Sequence, residues 1–126
     1  MASTVVRTSK RLDRTRTAMT FSNTETAVGG SETTVLDKFD VALYNRMTIQ
    51  IFNGDGSNPG TAKVYGSLKD EPGTEGDTDW TQIGDDISVG TSNALKAIST
   101  TALKHLCVRA TGNGADLTVI VYAEQV

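Results

Sequence analysis

The chain has 126 residues, 37% of them hydrophobic and 21% charged, with a formal net charge of −3. That is the length of one domain, with a lean but adequate supply of core residues. Its single cysteine, Cys107, excludes an intrachain disulfide and with it the small disulfide-stapled secreted scaffold.

The first element is a basic arm. Residues 1–16 carry Arg7, Lys10, Arg11, Arg14 and Arg16 against Asp13 alone, a local charge of +4, while the remainder carries −7. A cationic segment on an acidic body marks an interaction segment, and its partner is an acidic protein surface, a nucleic acid or a neighbouring copy. The acidic body disfavours a broad nucleic-acid surface. No apolar stretch follows Arg16, so no secretory leader is predicted. The longest apolar run, Val119 to Ala123, is far too short to span a bilayer.

Short segments bounded by turn residues follow the arm, as in a sandwich or barrel. Strands are predicted near Ala18–Ser22, Thr34–Leu43, Arg46–Phe52, Ala62–Leu68, Thr81–Ile83, Ile87–Val89, Ala94–Ser99, Lys104–Ala110 and Leu117–Ala123. Met47, Ile49 and Ile51 alternate with Arg46, Thr48 and Gln50, giving one buried and one wet face, and Leu106, Val108 and Ala110 alternate in the same way with His105, Cys107 and Arg109. Leu117 to Ala123 is apolar at nearly every position, which suits a central strand or one in a subunit interface. Ala94 to His105 also fits a helical turn or two. Gly112-Asn113-Gly114 supplies the positive φ angles of a tight hairpin. The whole predicts an all-β chain: an arm at 1–17, extended, and at 18–126 an antiparallel β-sandwich, jelly-roll-like, of about eight strands.

Candidate sites are few. His105 and Cys107 share a strand face but have no oriented third partner, so a packed thiol beside a surface imidazole is expected rather than a nucleophile pair. The Asn53–Gly60 loop alternates oxygen-bearing residues, yet Val64 stands where a calcium loop needs a bidentate glutamate. The acidic stretch 70–79, with Asp85 and Asp86 beyond it, suits a solvated loop, a weak calcium site or a dock for the basic arm. Trp80 either stacks on a sugar ring, as in a carbohydrate-binding module, or packs over one end of the core. No cofactor is predicted and no catalytic machinery.

From Phe39 to Val126 the chain resembles β-sandwich capsid decoration (cement) proteins of tailed bacteriophages and related head or tail accessory domains. The resemblance is carried by the Met47–Phe52 strand, Val64-Tyr65-Gly66-Ser67-Leu68, Asp79-Trp80-Thr81-Gln82-Ile83-Gly84, Ile87-Ser88-Val89-Gly90 and Leu106-Cys107-Val108-Arg109-Ala110-Thr111-Gly112. It implies a virion protein, assembled in the host cytoplasm, that binds the major capsid protein on the outer shell, commonly as a trimer. The arm cations Arg7, Lys10, Arg11, Arg14 and Arg16 would then contact the capsid or a neighbouring subunit. A tail, neck or fibre accessory subunit is the alternative within the same resemblance.

Overall fold

A computed structural model describes residues 5–54, 58–73, 78–98 and 103–125. The described residues form ten strands: β1 (Val6–Arg11), β2 (Thr17–Val28), β3 (Thr33–Asp40), β4 (Arg46–Asn53), β5 (Gly60–Ser67), β6 (Thr81–Gln82), β7 (Ile87–Gly90), β8 (Asn93–Ile98), β9 (His105–Gly112) and β10 (Ala115–Glu124). No helix occurs among them: Asn93–Ile98 is a strand, and the middle of the alternative helical stretch lies outside the described residues.

Every strand pair is antiparallel, in two five-stranded sheets. The first runs β1-β2-β10-β4-β8. The second runs β3-β9-β5, with β6 and β7 pairing successive stretches of β5, β6 at Tyr65–Gly66 and β7 at Gly60–Ala62. Apart from β1, the order β2-β10-β4-β8 facing β3-β9-β5-β6/β7 is that of an eight-stranded jelly roll. The chain crosses between sheets at six of the nine connections between the described strands, so each sheet is assembled largely from segments distant in sequence.

The core lies between the sheets and is built by period-two alternation. Met47, Ile49 and Ile51 of β4, Val119 and Val121 of β10, and Leu106 and Val108 of β9 are all buried. Phe21 and Phe39 close one flank, with ring centroids 4.4 Å apart. Strand β10 is central, as its apolar run predicts, but its two faces differ. Leu117, Val119 and Val121 are fully buried, while Thr118, Ile120 and Tyr122 are half-buried on the outer side.

Two local features set the register. The β9–β10 turn uses Gly114 at φ +92°, where an L side chain would clash with its own backbone. Beside it a bulge between Ala115 and Leu117 breaks the pairing of β10 with β2, and Ala27 sits at φ +50° with its N–H donating to Asp116 Oδ1 at 2.8 Å.

One predicted pattern fails. His105, Cys107 and Arg109 do not form a wet face: Cys107 and Arg109 are buried. Residues 68–73 account for part of this, because they fold back over the outer side of the second sheet. Lys69 O contacts His105 Nδ1, Lys38 Nζ donates to Pro72 O, and Pro72 is fully buried. Alternation within a strand reports one covered face, and cannot register a loop that covers the other.

Candidate functional site

The basic segment is laid along the free edge of the first sheet. β1 pairs with β2 from Val6↔Ser22 to Arg11↔Thr17. None of its side chains is apolar except Val6, so the pairing is carried by backbone hydrogen bonds, which need no side-chain pattern. Charged residues on such an edge oppose unwanted strand pairing.

Asp13 makes the turn. Its Oδ1 accepts from the N–H groups of Thr15 and Arg16, both at 2.9 Å, and its Oδ2 accepts from Arg16 Nε at 2.7 Å. These hydrogen bonds, led by the one from Thr15, hold the exposed carboxyl at about 2, well below the ordinary range. Arg11 ties down the same turn, donating from Nε to Asp13 O and from Nη2 to Arg14 O. Arg7 donates to Val5 O and sits 5.9 Å from the Phe21 ring centroid. The side chains of Lys10 and Arg14 make no ion pair among the described residues.

The structure therefore brings Lys10, Arg11, Arg14 and Arg16 together at the hairpin tip and places Arg7 apart, near the start of β1. Arg7 lines an open groove of about 410 Å³ with Lys38, Asp40, Asp70, Glu71 and His105. At the same end of the molecule Arg46 pairs with Glu124 at 2.7 Å, and that contact is the first cause of the lowered Glu124 carboxyl.

The acidic loop is tied internally. Lys104 Nζ lies 2.6 Å from Asp70 Oδ1 and lowers that carboxyl, while Lys69 pairs with Asp79, whose other oxygen accepts from Gly73 N. Glu75 and Asp77 lie outside the described residues. Among the described residues no three His, Cys, Asp or Glu side chains converge as metal ligands would.

Trp80 is 8% exposed, and its indole N–H donates to Gly73 O at 3.0 Å. It makes a contact within its own loop and, being buried, offers no open ring face for a sugar.

Sequence reasoning singled out neither Tyr65 nor the role of Arg109. The Arg109 guanidinium lies 4.3 Å over the Tyr65 ring, and the Tyr65 hydroxyl donates to Glu32 Oε1 at 2.7 Å. Burial, then that hydrogen bond, pushes the phenol up to about 12. The available signal was an arginine between apolar residues, Val108 and Ala110, whose partner is set by the β5–β9 register, Lys63↔Arg109 and Tyr65↔Cys107.

The outer face of the first sheet is different in kind. Three rows cross it in register: Thr8-Thr20-Tyr122-Thr48-Ala97, Val6-Ser22-Ile120-Gln50-Leu95 and, over four strands, Thr24-Thr118-Phe52-Asn93. None of these residues is charged. Lys10, Glu124 and Arg46 occupy the next row, at the hairpin end.

No family model matches the chain, and no curated protein matches it. Solved structures do. The SPBc2 prophage-derived protein YomS aligns with a TM-score of 0.52 and 15% identity, over 83% of this chain and 94% of that one. A protein named PirA aligns with a TM-score of 0.51 and 14% identity, over 81% and 92%. These similarities share the β-sandwich fold with this chain.

Proposed function

We propose that this protein is a non-enzymatic structural subunit of a bacteriophage virion, one that binds the outer capsid surface and reinforces the shell. The observation that supports it is the hairpin tip. Lys10, Arg11, Arg14 and Arg16 are gathered on a turn that Asp13 holds rigid, at the edge of a sandwich whose remaining charge is acidic. A preordered cationic tip loses little freedom on docking and steers encounter with an acidic surface. Binding to the assembled shell alone stabilises that shell by mass action. The fold shared with a prophage-derived protein agrees with this reading.

The test uses Lys10→Glu/Arg14→Glu, which reverses the two cations that do not build the turn. Particles from the producing host are sedimented through a density gradient and probed for the chain. Wild-type protein is expected on the capsid peak and released by salt, with occupancy of the double variant at least about tenfold lower. Equal occupancy of the variant, or absence of the chain from every sedimenting particle, overturns the proposal. Recovery on isolated tails, without capsids, would replace it with the tail, neck or fibre accessory reading.

A further inference from the structure

We infer that the outer face of the first sheet is where two copies of this chain associate, sheet against sheet. The second sheet's outer face is overlaid by residues 68–73 and carries Lys63, Arg109 and His105. The first sheet's outer face has no covering element among the described residues and no charge across three consecutive rows.

Its apolar side chains are open to solvent. Leu95 is 65% exposed, Val6 53% and Phe52 36%, and Ile120 lies half-buried at the centre. Its polar groups are partly satisfied in place: Thr24 and Thr118 share a hydrogen bond across the strands at 2.8 Å, and Tyr122 turns its hydroxyl to Glu124 Oε2, away from the patch. Burial therefore desolvates few unpaired groups.

The occupant is a second copy for two reasons. The first is charge. A molecule of net charge −3 repels its own kind, and this neutral patch lets two copies meet without opposing like charges. A charged partner would find nothing in it to pair with. The second is area. Strands about 4.8 Å apart and rows about 7 Å apart make the patch about 24 by 20 Å, so two copies bury about 1,000 Å², the lower bound for a specific interface. The same patch on both copies makes the contact two-fold and closed, a dimer in place of the trimer implied by the resemblance. The inference is independent of the capsid reading, because it concerns the isolated chain.

The test is sedimentation equilibrium of the purified chain over a dilution series reaching about 100 µM. Wild type is expected to approach twice the 13.4 kDa chain mass. Ile120→Lys/Leu95→Lys is expected to raise the dissociation constant at least about tenfold, and Leu43→Lys, at a 70% exposed residue off this face, to leave it unchanged. Thr20→Lys, on the half-buried second strand of the same face, repeats the test should the double variant fail to fold. A wild type that stays monomeric throughout overturns the inference. So does an oligomer whose mass neither patch variant changes.

Discussion

Asp13 shows how one side chain converts a basic leader into a defined hairpin. Its folded carboxyl titrates at about 2, below the ordinary value of 3.8. A lowered carboxyl contributes stability that is present above the ordinary value and lost as pH falls towards the folded one. The amides of Thr15 and Arg16 are therefore expected to keep slow hydrogen exchange at pH 5 and to lose it between about pH 4 and 2. Asp13→Ala should show the low-pH behaviour at every pH. Tyr65 works in the opposite sense, because its phenol is raised to about 12 from 10.0. The neutral ring is favoured in the fold, so its contribution is complete below pH 10 and disappears as pH rises through about 12. Ultraviolet titration of Glu32→Gln should bring this tyrosine part of the way back, since burial, the larger cause, remains. Cys107 is buried, and a thiol reagent is expected to label it only after unfolding. Asp13 and Cys107 could be singled out from sequence, the first by its place in a cationic run and the second by its uniqueness. Tyr65 could not, because a phenol whose arginine partner is on a strand adjacent in the sheet but distant in the chain leaves no mark in the linear order.

Among the elements, legibility followed side-chain pattern. Strand β4 was readable because its buried residues recur at every second position, and β10 because its run is apolar at nearly every position. The β9–β10 turn was readable because Gly112-Asn113-Gly114 has few other conformational uses. Strand β1 was not announced, since six exposed residues pair through their backbone alone. The far half of β2, beyond Ser22, is polar and was missed for the same reason. Two strand glycines, one beside the β9–β10 turn and one in β5, can be compared. At Gly112 an added Cβ would lie 2.9 Å from the Val28 carbonyl, which belongs to the backbone and cannot swing away. At Gly66 it would lie 2.5 Å from the tip of Ile83, a side chain that can change rotamer. Both Gly→Ala variants should lose stability, by about 1–3 kcal/mol, with Gly112→Ala the more damaging in urea unfolding. Ala27, at φ +50°, reverses the sign. Ala27→Gly relieves a left-handed cost of about 1–2 kcal/mol and adds about 0.5–1 kcal/mol of chain entropy, so a small rise in melting temperature is expected.

For the molecule as a whole, the jelly-roll order puts the basic hairpin tip and residues 68–73 at one end and leaves three rows of one sheet face neutral and uncovered among the described residues. Removing residues 1–16 takes away the edge strand but leaves β2-β10-β4-β8 and the whole second sheet intact, so the domain should remain folded by circular dichroism. Phe21 loses Arg7 as a neighbour, and a lower melting temperature is the expected cost. The sequence by itself determined the class: β-branched and alternating residues favour strands, glycine turns close hairpins, and a charge imbalance marks the arm, all of which are local properties. Tertiary structure alone decided that Trp80 is buried against Gly73, that Arg109 lies over Tyr65, and that neutral residues from five strands form one continuous patch. Each of these depends on which distant strands pair and in what register, and pairing is settled by packing of the whole chain rather than by any one segment.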